Sequence, residues 1–367
     1  MDSAEKNRTA AIDVLRGVAV VIWVGSQVAI AAFSTLPMSS FSEWAMKQLS
    51  KSIWHGLTLF DHVLPAFLTA MGASLVFSNV RRSARGDSAR ERLLHIFGRS
   101  SLLFLIGFLC TGGFEHSWPD VRVTGILQRV AVCYAVAAIS NVLLGVRGLI
   151  GAVVFLLLEY WALMAFGDGA RQGAGRYTMD GNFAAHVDQL FLPGRAYFGN
   201  WDPEGILTAI PAVATTLIGV LIGHCLKSPY WDTGTKLLTL GGCGALAITN
   251  GILLGDHVPT NVHLWTPSFV LVTSGVLAVI VAGLFWLTDV RGWRSWALPF
   301  VVAGRNALPL VIAFEVVRFD LISSRLIGGD IANILGPGAP VLRAFVELSL
   351  IGWLAWWLYR RRIFLTA

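Results

Sequence analysis

The chain has 367 residues, of which 55% are hydrophobic and only 14% are Asp, Glu, Lys or Arg. An ordinary soluble domain carries about 25% charged residues, so this composition excludes soluble globular, disordered and fibrous proteins. The net charge of +6 is explained by the distribution of basic residues between loops, and we predict no nucleic-acid partner.

Ten long apolar segments follow one another along the chain. A helix needs about 20 apolar residues to cross a bilayer, so each segment predicts one membrane-spanning helix. The predicted helices cover residues 11–33, 57–79, 95–113, 125–145, 148–166, 205–226, 235–254, 266–288, 296–317 and 341–359. The predicted fold class is an all-α polytopic membrane protein with about ten transmembrane helices, and the lipid bilayer is its first partner.

The basic residues of the loops predict the orientation of these helices, because cytoplasmic loops of membrane proteins are enriched in Lys and Arg. With the N-terminus in the cytoplasm, fifteen basic residues lie inside: Lys6, Arg8, Arg81, Arg82, Arg85, Arg90, Arg92, Arg147, Lys227, Lys236, Arg291, Arg294, Arg360, Arg361 and Arg362. Eight lie outside: Lys47, Lys51, Arg122, Arg171, Arg176, Arg195, Arg318 and Arg325. We therefore predict that both termini are cytoplasmic. Residues 1–367 are predicted to form one transmembrane domain, in which the polar stretch 167–204 is an extracytoplasmic loop.

Polar and ionisable residues gather at the predicted outer ends of several helices. An ionisable group inside a span costs about 2.5–3.5 kcal/mol on insertion scales, so each one is a candidate functional residue. The candidates for binding a substrate or coenzyme are Arg122, Gln128, Arg129, Asp202, Glu204, Trp265, Asn306 and Glu315. Together they predict a polar cavity open to the outside.

Structural roles compete with these assignments. Asp202, Pro203 and Glu204 are also typical of a helix start, with an Asp cap and Pro in the first turn. Arg122 and Arg129 lie seven residues apart on one helix face and could pair with outer carboxylates. Both alternatives stay open at the level of sequence.

His55 and Asp61 are the candidates for proton transfer. A neutral imidazole near a carboxylate is the usual general base at neutral pH. The competing interpretation is that the histidines at the mouth of the second helix are interfacial residues. The sequence has no HExxH motif, no phosphate-binding glycine loop and no GxSxG motif, so it predicts no metal and gives no support to peptidase or hydrolase chemistry.

Seven segments resemble the heparan-α-glucosaminide N-acetyltransferases and their bacterial relatives. They read AIDVLRGVAV, WHGLTLFDHVLPAFLTAMGASLVFS, VRVTGILQRVAVCY, LPGRAYFGNWDPEGILTAIPA, NVHLWTPSFVL, DVRGWRSWALPFVVAGRNAL and YRRRIF. They occur in family order and span nearly the whole chain.

The resemblance implies a membrane enzyme that transfers an acetyl group from cytoplasmic acetyl-CoA to the amine of an amino sugar or glycan on the other side of the membrane. It implies acetyl-CoA as co-substrate, with basic residues at the cavity mouths holding its phosphates. We also predict the inner (plasma) membrane of a bacterium as the location, and a second copy of the chain as a candidate partner.

Four positions depart from the family pattern, Gln27, Lys51, His62 and Arg305, and the first two bear on the chemistry. The family carries a His three residues before the Trp of the second-helix motif, where this chain has Lys51, and an Asn in the first helix, where this chain has Gln27. An acetylated lysine is a stable amide and would not turn over, so Lys51 cannot carry the acetyl group as an intermediate. We therefore expect direct transfer, with His55 as base, Asp61 orienting it and Gln27 polarising the carbonyl.

The same cavity could serve an amino-sugar transporter or permease without coenzyme chemistry, and the altered motif favours that alternative more than an intact motif would. A catalytically inactive structural partner is the third interpretation.

Overall fold

A computed structural model describes residues 9–35, 39–115, 117–167, 176–179 and 181–363. Within these ranges the regular structure is helical, apart from two isolated antiparallel β-bridges. The helices are α1 (Ala10–Phe33), α2 (Ser40–Leu49), α3 (Val63–Ala84), α4 (Ala89–Cys110), α5 (Ile126–Leu143), α6 (Val146–Phe166), α7 (Phe183–Phe191), α8 (Ala209–Lys227), α9 (Thr233–Gly255), α10 (Pro267–Phe285), α11 (Leu298–Arg305), α12 (Ala307–Val316), α13 (Phe319–Leu326), α14 (Gly329–Leu335) and α15 (Ala339–Arg360).

Nine helices in the described ranges are long and apolar enough to cross a membrane, and α11 with α12 makes a tenth if this bent pair is one span. The predicted all-α polytopic membrane protein is therefore confirmed, and the chain is an integral membrane protein. The cytoplasmic placement of both termini stays a prediction.

Two helices begin farther from their predicted starts than the others do. The helix predicted from residue 57 begins at Val63, because the Asp61 carboxylate accepts hydrogen bonds from the backbone amides of Ser52 and Thr58 and folds that stretch into a turn. The helix predicted from residue 95 begins at Ala89, where Ser88 and Glu91 form a capping box. Hydropathy finds the apolar part of a helix and misses polar first turns of this kind.

The chain divides into two compact units. Among the described residues, the first comprises residues 53–56 and those within 65–286, and so contains α4 to α10 and most of α3. Its central helix is α8, the most buried of the spans, which packs against α5, α6, α9 and α10. The predicted outer end of this unit has an apolar core of Tyr160, Met164, Ala184 and Leu264.

Helices α3 and α8 approach each other at glycines. A Cβ atom on Gly72 would lie 2.1 Å from the carbonyl oxygen of Thr216, and one on Gly219 would lie 2.4 Å from that of Thr69. Neither distance is possible for a real side chain, so the backbones touch because both positions lack one. Small residues allow this kind of packing in membrane helices.

The described part of the second unit comprises residues 9–35, 39–52, 57–64 and 287–363, with α1, α2 and α11 to α15. Helix α1 packs against α11, α12 and α15. The axis bends by 71° between α11 and α12, and Asn306 stands at the break. The predicted single domain of residues 1–367 stays a prediction. Within the predicted loop 167–204, the described residues form α7 and the turns that follow it.

Candidate substrate site

Arg122 joins two carboxylates in the segment between α7 and α8. Its Nε and Nη2 atoms donate to the two oxygens of Asp202, at 3.0 and 2.9 Å, and Nη2 also donates to Glu204 at 3.0 Å. Thr124 donates to Asp202 at 2.6 Å, and the Arg122 guanidinium lies 4.7 Å above the ring of Tyr197. The expected pairing of Arg122 with outer carboxylates is thus present as a two-pronged, buried contact.

This pairing fixes the charges of both partners. Burial by itself would raise the pKa of Asp202, but the hydrogen bonds from Arg122 and Thr124 outweigh it, and the pKa lies below its usual range. Burial opposes the charge of Arg122 as well, yet its contacts with Asp202 and Glu204 raise its pKa. Both groups are therefore ionised at neutral pH.

Asp188 of α7 holds the turn that carries these carboxylates. Its Oδ1 accepts the amide of Ile206 at 2.9 Å, and its Oδ2 accepts the amide of Asp202 at 3.3 Å. A Cβ atom on Gly205 would lie 2.1 Å from Oδ2, so the turn can close on the carboxylate only with glycine there. Burial raises the pKa of Asp188 to about 6.

The segment 202–204 does not open a helix. Helix α8 begins at Ala209, and Asp202 instead accepts the amides of Glu204 and Tyr197. The alternative of a helix start is therefore wrong. The Asp-Pro-Glu pattern is used here in a tertiary ion-pair network, whose partner Arg122 is eighty residues away in the sequence.

Arg129 lies one level deeper on α5 and is 4% exposed. Its Nη2 donates to the carbonyl of Pro203 and to the hydroxyl of Thr208. Its guanidinium also lies 5.1 Å above the ring of Trp265, which adopts a left-handed backbone conformation with φ 52° and donates to Thr215 at 3.0 Å. Among the residues the structure describes, no carboxylate lies within ion-pair distance of Arg129. Arg129 thus binds the base of the same turn that Arg122 and Asp188 hold.

Aromatic rings gather beside this network. Trp54 stacks on His263 with ring centroids 5.6 Å apart and meets Trp201 edge to face at 5.2 Å. Phe198 stacks on Trp201 at 4.6 Å. Phe198 is half exposed, whereas Trp201 and His263 are buried. The result is an aromatic wall with its exposed edge at Phe198.

Two polar contacts fix the aromatic wall in place. The indole nitrogen of Trp54 donates to the carbonyl of Tyr177 at 2.8 Å. The side-chain oxygen of Asn261 accepts the amides of His263 and Leu264, each at 2.8 Å.

His55 follows Trp54 directly and is exposed. Its ring centroid is 6.1 Å from that of Trp54. Partial burial lowers the pKa of His55 below its usual value, so its imidazole is mostly neutral at pH 7 and able to accept a proton. The role of a general base for His55 is compatible with this state and stays a prediction.

Gln128 is buried at the start of α5. Its Nε2 donates to Thr111 at 3.1 Å, while its Oε1 is buried and accepts no hydrogen bond in the described part of the chain. Gly107 and Gly125 lie against this oxygen. An unpaired buried amide oxygen is costly, so Gln128 is a position where a ligand donor would be stabilised.

The remaining candidates belong to the other unit. Gln27 on α1, Lys51 after α2 and Glu315 on α12 are exposed. Asp61 is buried and bonded to the amides of its own turn, which gives it a structural role that the sequence did not suggest. Asn306 is fully buried at the break between α11 and α12, where its Nδ2 donates to Val302 and Ala355.

Sequence reasoning missed part of the network, namely the roles of Asp188, Thr124, Trp54, Trp201, Tyr177 and His263. One signal was available for Asp188, since it is a lone acidic residue on the apolar face of a short amphipathic helix. The aromatic residues gave no such signal, because tryptophans are also typical membrane-interface anchors. In the described ranges, no group of three or more His, Cys, Asp or Glu residues is arranged to hold a metal ion.

No family model matches the chain. Curated relatives do. Human heparan-alpha-glucosaminide N-acetyltransferase is 28% identical over 374 residues, covering 86% of this chain and 54% of the relative. The mouse protein of the same name is 26% identical over 371 residues, covering 85% and 54%. A phospho-N-acetylmuramoyl-pentapeptide-transferase of Streptomyces coelicolor is 25% identical over 189 residues, covering 46% and 50%.

The chain thus spans about half the length of the curated relatives it matches. The two mammalian matches nevertheless extend over most of the chain, as the seven motifs do. The resemblance predicted from the sequence is thereby confirmed: the chain is similar to the heparan-α-glucosaminide N-acetyltransferases over most of its length.

Proposed function

We propose that the protein is a transmembrane acetyltransferase, which moves the acetyl group of cytoplasmic acetyl-CoA to the amine of an amino sugar on the other side of the membrane. The observation that carries this proposal is the similarity of 86% of the chain to a protein named as an N-acetyltransferase. The membrane-spanning helices are consistent with it, since donor and acceptor would reach the enzyme from opposite faces. We place the enzyme in the plasma membrane of a bacterium.

The charges of the candidate site suit an amine as acceptor. Three carboxylates, Asp188, Asp202 and Glu204, face two guanidinium groups, Arg122 and Arg129, so the network carries one negative charge when all are ionised. A protonated amino group is attracted by this excess. Glu204 is the most accessible of the three acids, and we assign to it the first contact with the ammonium group.

Acylation of an amine requires a base for the ammonium proton and donors for the tetrahedral oxyanion. We assign the base to His55, which is exposed, neutral at pH 7 and next to the aromatic wall. Transfer is direct in this proposal, because an acetyl group on Lys51 would be a stable amide.

The test is transfer across sealed proteoliposomes. Radiolabelled acetyl-CoA is supplied on one side and glucosamine on the other, and N-acetylglucosamine is measured on the side of the sugar. We expect product with the wild type and a loss of about 10²- to 10⁴-fold for His55→Ala, the usual contribution of a general base. The matched control is His257→Ala, which changes an exposed histidine outside the network and should leave the rate unchanged.

Two results would contradict the proposal. Full activity of His55→Ala would remove the base from His55 while leaving the transferase intact. Uptake of glucosamine without acetyl-CoA, and without any acetylated product, would instead identify the protein as the amino-sugar transporter.

A further inference from the structure

Arg99 is a guanidinium group inside a membrane-spanning helix. It is the eleventh residue of α4, about 15 Å along the axis from the first. In the described ranges no carboxylate lies within ion-pair distance of it, and its guanidinium carbon lies 5.1 Å above the ring of Tyr134. Its Nε and Nη2 atoms are buried and donate to no acceptor in that part of the chain.

The neighbourhood of Arg99 is cationic. Arg82 lies close enough for its charge to act on both Arg99 and His95, and Arg82 itself is paired with Asp87 at 3.0 Å. Arg92 donates to the side chain of Asn79 at 2.9 Å, and its buried Nε also has no acceptor among the described residues.

Next to these basic residues, helices α5 and α8 contribute neutral polar side chains. Asn141 accepts a hydrogen bond from Asn79 at 3.5 Å and contacts His224 at 2.9 Å. The neighbouring ends of α3, α4, α5 and α8 therefore present several cations and two carboxylates, of which Asp87 pairs with Arg82 and Glu91 caps α4. We call Arg82, Arg92 and Arg99, together with the neutral Asn79 that binds Arg92, the basic cluster.

The positive-inside rule accounts for Arg85 in the loop between α3 and α4 and for Arg90 in the first turn of α4. It does not account for Arg99, which is within the span. Snorkelling explains how its stem could lie along the helix. Snorkelling leaves donors in contact with water or headgroups, however, whereas two nitrogens of Arg99 are buried without an acceptor.

We propose that the basic cluster binds a phosphate group. Guanidinium groups take phosphate oxygens through two parallel hydrogen bonds, and a phosphate would supply the anionic acceptors that Arg92 and Arg99 lack. On the predicted topology the cluster faces the cytoplasm. Two sources then offer this chemistry, the headgroup of an anionic phospholipid and the nucleotide phosphates of acetyl-CoA. Only the second rests on the proposed function.

The first experiment tests the phosphate site in the wild-type full chain. Inorganic phosphate is titrated into protein in a neutral detergent while thermal stability is recorded, because a ligand that binds the folded state raises the midpoint. We expect an upward shift that chloride at equal ionic strength does not produce. Arg99→Gln should lose this shift, whereas Arg147→Gln, which changes an exposed arginine at the start of α6, should keep it. Equal shifts in Arg99→Gln and wild type would overturn the proposal.

The second experiment separates the two sources. Phosphatidylglycerol retention is measured by native mass spectrometry, and acetyl-CoA binding is compared with binding of S-acetylpantetheine, which has no phosphate. If Arg99→Gln loses about tenfold or more in affinity for phosphatidylglycerol alone, the phosphate comes from the lipid. If the variant loses about tenfold or more in affinity for acetyl-CoA but keeps its affinity for S-acetylpantetheine, the phosphate comes from the nucleotide. If Arg99→Gln keeps both affinities, the proposal is overturned.

Two further controls keep folding and catalysis apart from binding. Arg99→Lys keeps the positive charge but cannot make the two parallel hydrogen bonds of a guanidinium group. We therefore expect this variant to bind phosphate with intermediate affinity, even if Arg99→Gln folds poorly. A protein that binds phosphate through Arg99 but transfers no acetyl group would contradict the proposed function and leave the phosphate site standing.

Discussion

Asp188 and Asp202 are two buried carboxylates in one network, and their pKa values shift in opposite directions. Burial dominates at Asp188, whereas the forked contact with Arg122 dominates at Asp202. The charged groups that face Asp188 are Asp202 and Arg129, with the Tyr160 hydroxyl nearby. The two acids should therefore contribute to stability with opposite pH dependence.

The pKa of Asp188 rises from 3.8 to about 6 on folding. The folded chain then binds more protons than the unfolded chain between these values, so this group's contribution to stability falls as the pH rises through that window. We expect Asp188→Asn to remove this fall. Thermal midpoints of both proteins at about pH 4.5 and about pH 7.5 measure it. Asp202→Asn is the control, because the stability from an ionised Asp202 is fully present above pH 3.8 and is lost only at lower pH, so this variant should keep the fall between the two pH values. Identical pH profiles of wild type and Asp188→Asn would contradict the argument.

Arg122 is the partner that makes the buried charge of Asp202 tolerable. We expect Arg122→Gln to cost about 3 kcal/mol, because it leaves a buried carboxylate without its cation. The double variant Arg122→Gln, Asp202→Asn should recover part of the loss, since both charges are then gone. Thermal unfolding of the four proteins of this cycle gives the coupling energy. Strictly additive losses would show that the two side chains do not interact.

The sequence indicated which residues are polar at helix ends, but not which of them meet. Arg122 and Asp202 could be chosen as candidates because charged groups near a membrane span are costly. The choice of Asp202 as the partner of Arg122, rather than another outer acid, depends on the path of the chain between α7 and α8. The sequence of that segment has no periodic pattern from which its path could be predicted. His55 and Gln128 were chosen as candidates on the same grounds, but the residues that surround them could not be predicted from the sequence.

The helices themselves could be predicted almost completely, because hydropathy over about 20 residues is a strong signal. Their polar additions could not. Helices α2, α7, α13 and α14 have ten residues or fewer and no spanning hydropathy. The break at Asn306 was missed because residues 296–317 are apolar on both sides of it.

The glycine contact between α3 and α8 permits a test with opposite expected signs. Gly219→Ala places a Cβ atom 2.4 Å from the Thr69 carbonyl, and overpacking of this kind costs about 1–3 kcal/mol. At Gly151 on α6 nothing lies within 4 Å of the new Cβ, and Ala is a better helix former than Gly by about 1 kcal/mol. We therefore expect Gly219→Ala to lower the thermal midpoint and Gly151→Ala to leave it equal or raise it. Equal effects would show that the helices can separate without cost.

The predicted orientation of the whole molecule is tested by labelling single cysteines. The background lacks the native cysteines Cys110, Cys133, Cys225 and Cys243. An introduced Ser83→Cys lies in the last turn of α3, next to the connection to α4, and Ser117→Cys lies between α4 and α5. Both positions are exposed. A membrane-impermeant maleimide added to intact cells should label Ser117→Cys alone, and Ser83→Cys only after permeabilisation. The reverse pattern would invert the topology and place the basic cluster outside.

The break at Asn306 has a consequence for how the protein is made. Helix α11 has eight residues and α12 has ten, which gives lengths of about 12 and 15 Å against a hydrocarbon thickness of about 30 Å. Neither half is long enough to cross the bilayer by itself. Asn306 donates to Val302 within α11 and also to Ala355 on α15, which the ribosome synthesises later. We therefore expect α11 and α12 to pack in their final position only after α15 has left the ribosome. In nascent chains that stop before α15, these two helices should be more accessible to membrane proteases.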